Sequence, residues 1–178
     1  MVHAFYFNEG RVDYLNRWIR TPKHVAELAE GRSMPRVRKP DANTGKVAAD
    51  HQNGLANTHI IWHGDQLLAL DEGSHPFELA PMTLESRGYS EQGRQLSGAM
   101  TAHPKIDPAT GELHGFGYMT GYAGSSTLSY HVVDPSGSVV RSDTFEAPYP
   151  AMVHDFVITN DYVLFPIFPL TFDMERAS

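Results

Sequence analysis

Turn chemistry constrains this chain more than any other feature. His3-Ala4-Phe5-Tyr6-Phe7 and Arg11-Val12-Asp13-Tyr14 flank Asn8-Glu9-Gly10, Thr58–His63 and Gln66–Leu70 flank Gly64-Asp65, and Ser126–Val133 and Ser138–Arg141 flank Asp134-Pro135-Ser136-Gly137. Strand-forming runs on either side of such punctuation specify antiparallel hairpins, because Gly, Asn and Asp accept the positive φ of tight turns. A succession of hairpins with few helical patterns argues an all-β fold. The exception is Lys23–Gly31, which predicts one short helix near the N-terminus, capped by Thr21 with Pro22 at its first position. Arg32–Gly54 shows neither period two nor period 3.6 and predicts a long loop. Its basic residues Arg32, Arg36, Arg38 and Lys39 read as a solvated loop face.

Two further hairpins each begin at a histidine. Thr101-Ala102-His103-Pro104-Lys105-Ile106 leads into Asp107-Pro108-Ala109-Thr110-Gly111, where Pro104 holds His103 in extended backbone and Gly111 can take a positive φ. Met152-Val153-His154-Asp155-Phe156-Val157-Ile158-Thr159 turns at Asn160-Asp161 into Tyr162-Val163-Leu164-Phe165. Two histidines so placed suggest a metal. His59, His103 and His154 recur at separations of 44 and 51 residues, close to the ~45 residues of a four-stranded propeller blade, so the chain supplies roughly four blades. His59 and His63 lie on one strand face but read as polar positions near a hairpin end, and His75, His114 and His131 carry no motif.

With 178 residues the chain fits one domain. It has no cysteine, so disulfides and thiolate metal sites are excluded and a metal would need histidine, carboxylate or water. A net charge of -7 argues against a nucleic-acid partner. No basic-then-apolar leader opens the sequence, and the most apolar run, Val163–Phe172, is broken by Pro166 and Pro169 and too short to cross a bilayer. A cytoplasmic location is compatible, with peripheral membrane contact left open.

TAHPKIDPATGELHGFGY (101–118), MVHDFVITNDYVLFP (152–166) and NTHIIWHGDQLLALDEG (57–73) resemble consecutive motifs of the carotenoid cleavage oxygenases, a family that includes stilbene-cleaving dioxygenases and retinoid isomerases. The resemblance runs from His3 to Pro169. It implies part of a seven-bladed β-propeller holding Fe(II) on its axis with four histidines. His103 and His154 match the first and second iron ligands. Glu72 matches the acidic residue that hydrogen-bonds an iron-bound histidine from behind, here His154.

The resemblance further implies oxygen-dependent cleavage of a conjugated carbon–carbon double bond into two carbonyl products. Phe116, Tyr118, Tyr122, Phe156, Phe165 and Phe168 are candidates for an apolar tunnel, with core packing as the competing reading. Stilbene-cleaving members tend to carry lysine where this chain has Asp71, which favours a carotenoid or apocarotenoid over a stilbene. Parts of the family's domain ahead of and beyond this segment, including the third and fourth histidines, have no counterpart here. The chain by itself is therefore expected to be inactive, and the competing reading is a partial propeller that acts as a binding or assembly module.

Overall fold

A computed structural model of the chain describes residues 1–34 and 40–170. Strands β1 (Val2–Asn8) and β2 (Arg11–Arg17) pair as a hairpin, and helix α1 (Pro22–Glu30) follows. Strands β3 (His59–His63), β4 (Gln66–Leu70), β5 (Phe77–Leu79) and β6 (Ser86–Tyr89) form one four-stranded sheet in chain order. Strands β7 (Lys105–Ile106), β8 (Leu113–Tyr118), β9 (Thr127–Val133) and β10 (Val139–Glu146) form a second, and β11 (Val157–Ile158) pairs with β12 (Val163–Leu164). All pairings are antiparallel between sequence neighbours, the up-and-down meander of a propeller blade. Where the sequence suggests roughly four blades, the described residues form two four-stranded sheets, each the size of a whole blade, and two two-stranded hairpins.

Local chemistry accounts for the predicted elements. Thr21 is extended and its side chain accepts from the His24 N–H at 3.2 Å, while Gly31 ends α1 with φ 66°. Gly64 and Asp65 both take positive φ, 55° and 56°, as a two-residue hairpin turn requires. Strands β5 and β6 carry no distinct sequence signal. They are short, and Gly88 and a register shift interrupt the pattern. The run expected as a strand from Met152 to Thr159 pairs only at Val157–Ile158. The Arg32–Gly54 loop makes one bridge, Ala48 to Tyr122, among its described residues, and Arg36, Arg38 and Lys39 lie outside them.

Three apolar clusters join each unit to the next. Val2 and Ile19 pack with Ala69, Phe77 and Leu79 between the first hairpin and the first sheet. Leu68 and Leu70, on the opposite face of β4, meet Met100, Leu113 and Val133 of the second sheet's side. Phe116, Leu128, Tyr130, Val153 and Phe156 connect that sheet to β11–β12. Four of the tunnel candidates belong to this last cluster, Phe116 and Phe156 buried in it and Tyr118 and Phe165 packed against it, and the rings of Phe116, Phe156 and Phe165 meet at centroid distances of 5.1, 5.4 and 5.8 Å. Phe116 and Phe156 are core, Phe165 is half-buried against them, and Phe168 is exposed.

Gly117 lets the segment ahead of His103 lie against β8. A Cβ there would meet the Ala99 backbone oxygen at 2.8 Å and nitrogen at 2.9 Å. Gly117→Ala is therefore expected to destabilise the fold by ~1–3 kcal/mol through overpacking, read as a lower denaturation midpoint at constant m-value. An unchanged midpoint would show that the segment gives way freely.

Candidate metal centre

Each of the three recurring histidines stands where the first strand of a unit begins: His59 opens β3, His103 precedes β7 and His154 precedes β11. The turn after His103 is closed by Gly111 N–H donating to the Asp107 carbonyl at 2.8 Å and Asp107 N–H to that of Glu112 at 2.9 Å. The His103 N–H donates to Thr101 Oγ1 at 3.0 Å. His154 is flanked by Val153 and Phe156, each 1% exposed, so buried neighbours anchor a backbone that presents an exposed imidazole.

These placements bring His103, His154 and Glu72 together. The rings of His103 and His154 lie 4.7 Å apart at 67°. Glu72, on the loop after β4, places Oε1 at 3.1 Å from His154 Nδ1. An ionised carboxylate only accepts, so Nδ1 carries the proton and the Nε2 lone pair is left for another partner, the arrangement of a metal-binding histidine. His59, expected only as a polar position at a hairpin end, is a neighbour of the pair. Its ring is 6.5 Å from that of His103, and its Nδ1–H donates to the Ala102 carbonyl at 3.0 Å, tying the peptide ahead of His103 to β3. His63 acts elsewhere, since its Nε2 donates to the Gly111 carbonyl at 3.0 Å and pins the neighbouring turn. Among the described residues, no group of three or more His, Cys, Asp or Glu side chains is disposed to hold a metal ion.

Lys105 and Asp155, each beside one of the two histidines, form an ion pair at 2.8 Å. Burial opposes ionisation of Asp155, yet the Lys105 ammonium and the Phe156 N–H hold its carboxyl below the usual carboxylate range. The adjacency of a lysine and an aspartate to the two histidines is visible in the sequence, but nothing in one dimension says that they meet.

Glu72 also borders a cavity of about 420 Å³, walled by Ala49, His51, Ala99, Tyr118 and Met119 among others. Tyr118 is the one tunnel candidate lining it. Asp71 does not face that space. It is 3% exposed, and its carboxylate accepts from the Leu55 N–H at 2.6 Å and from the Ser74 hydroxyl at 2.6 Å. His75 and His131, which carry no motif, are buried, His131 completely within β9.

The sequence signature of the retinal pigment epithelial membrane protein family matches residues 1–178. The chain belongs to this family. It is 39% identical to isoeugenol monooxygenase of Pseudomonas putida over 99% of its own length and 37% of that protein's, and 38% identical to carotenoid cleavage oxygenase 1 of Neurospora crassa over 98% and 33%. Among solved structures, lignostilbene dioxygenase of Pseudomonas brassicacearum superposes with a TM-score of 0.83 at 39% identity, covering 98% of this chain and 36% of that one. Cobalt-substituted Synechocystis apocarotenoid oxygenase gives 0.71 at 35% identity, covering 92% and 36%. The chain thus spans little more than a third of the relatives it matches, and within that span it has the blades of their β-propeller fold.

Proposed function

We propose that this segment carries part of the iron centre of an oxygenase that uses dioxygen to cleave a conjugated carbon–carbon double bond into two carbonyl products. The observation that carries the reading is the convergence of His103, His154 and Glu72 from three different units, in a chain whose relatives are named oxygenases. His103 and His154 would hold Fe(II) through neutral ring nitrogens, and Glu72 would fix the His154 tautomer and strengthen it as a donor. Iron(II), when bound, supplies the activation of dioxygen. The chain's own contribution is to orient the two imidazoles, hold the Nδ1–H of His154 in its hydrogen bond to Glu72, and offer an alkene the space beside Glu72 that Ala49, Ala99 and Met119 help to wall.

The carotenoid or apocarotenoid reading leans on Asp71 standing where a substrate-facing lysine would be. Asp71 is spent on the Leu55 N–H and the Ser74 hydroxyl, so that argument loses its force, and the similarity to lignostilbene dioxygenase and isoeugenol monooxygenase favours a second reading, a stilbene or a propenyl-substituted aromatic. Membrane contact bears only on the polyene reading, because polyenes dissolve in membranes. No helix among the described residues is long and apolar enough to cross one. The absence of cysteine accords with a cytoplasmic location.

The test uses this segment within a protein of the relatives' length, loaded with Fe(II) and given an apocarotenal, a hydroxystilbene and isoeugenol in turn under oxygen. Two carbonyl products from one of them, with oxygen consumed, are expected. Stoichiometric iron without turnover of any of the three would oppose the reaction, and absence of iron binding would favour a binding or assembly module.

A further inference from the structure

We propose that Lys105 and Asp155 form a positioning clamp that sets His103 against His154 and keeps the Asp155 carboxylate away from the metal. The inference rests on the metal-centre reading above. Lys105 opens β7 two residues beyond His103, which stands in the bend leading into that strand. Asp155 directly follows His154. Its Oδ1 takes the Lys105 ammonium at 2.8 Å and also the Phe156 N–H at 2.8 Å, and the ammonium stands 5.6 Å from the centroid of the buried Phe156 ring. The clamp therefore ties the start of β7 to the segment entering β11.

That tie falls where the backbone supplies little. Strands β7 and β11 are two residues long, each with two paired positions, so their leading ends, which carry the histidines, have few ladder bonds to fix them. The side chains are partly exposed, at 33% and 51%, and such pairs contribute little to stability. Their consequence is positional and electrostatic. Paired, the two charges cancel and the centre is left to neutral imidazoles. Without Lys105, an ionised carboxylate one residue from His154 is free to swing to a divalent cation, for which carboxylate oxygen is a good ligand. Without Asp155, an uncompensated ammonium faces an incoming dication. Removing either partner thus changes metal binding in opposite directions, which a purely structural brace would not do.

The experiment is a Co(II) titration of this segment within a protein of the relatives' length and of its Lys105→Met, Asp155→Asn and double variants, followed by broadening of the His103 and His154 imidazole NMR signals and by the visible cobalt bands, with melting curves of the metal-free proteins. Asp155→Asn is expected to weaken Co(II) binding by ~10-fold. Lys105→Met should bind at least as tightly as the parent with shifted cobalt bands, from a new oxygen donor, and the double variant should return close to the parent affinity. Equal weakening in both single variants with a matching fall in melting temperature, or no change in either, would overturn the clamp. If Co(II) leaves both imidazoles unbroadened in that full-length protein, the metal-centre reading fails, and the clamp with it.

Discussion

Replacing His154 by alanine, in a protein of the relatives' length, is expected to abolish metal retention and alkene cleavage together. An all-histidine centre has no anionic ligand to compensate for a lost imidazole, and the alanine also strands Glu72, whose Oε1 takes the His154 Nδ1 proton at 3.1 Å. Glu72→Gln is the milder change. The amide oxygen can still accept that proton, so the tautomer survives, but the charge that makes the imidazole a strong donor is gone. Metal affinity or turnover is expected to fall by ~10–100-fold. Elemental analysis after desalting, alongside product formation, checks both. A His154→Ala protein that keeps its metal and its rate would remove His154 from the centre.

Acid is expected to unfold this chain well before its surface charges alone would. His131, fully buried, donates from Nε2 to the Ala99 carbonyl at 3.1 Å, so its Nδ1 accepts from the Ser142 hydroxyl at 3.0 Å, and the ring is held neutral. Burial, which outweighs the favourable hydrogen bond to Ala99, lowers its pKa to about 4, with His75, His51 and Asp143 as the facing charges. His75 is likewise lowered to about 4, first by burial and then by His51, with Arg94 and Asp50 also facing it. A histidine whose pKa falls on folding binds its proton more readily in the unfolded chain, so the native state keeps full stability above the unfolded value near 6.5 and loses it as the pH falls towards 4. For His131 the loss amounts to about 3 kcal/mol. Denaturant midpoints between pH 7 and pH 4 should show it, and His131→Gln should flatten the slope. A slope unchanged by that substitution would assign the acid sensitivity elsewhere.

The hairpins are legible in the sequence because their information is local. Gly64-Asp65 and Asp107–Gly111 dictate turns, and alternation in β4 sends Leu68 and Leu70 to one face and Ala69 to the other. The helix is legible for the same reason, since Thr21, Pro22 and Gly31 are cap chemistry within one short segment. The two short strands β5 and β6 are not, because Phe77–Leu79 and Ser86–Tyr89 are too brief to show a period and are strands only because β4 offers them an edge.

At the candidate centre, sequence by itself determined which side chains were candidates and that each histidine would precede a strand, since proline, turn residues and the recurrence of His59, His103 and His154 act along the chain. Only the tertiary structure decided what those side chains meet. Glu72 and His154 are 82 residues apart, and Lys105 and Asp155 are 50 apart. Their contacts depend on how the apolar clusters stack one unit against the next. The same stacking turned Phe116 and Phe156 from tunnel candidates into core and enclosed Asp71 and His131. Burial is a property of the packed units together, so no local pattern could assign it.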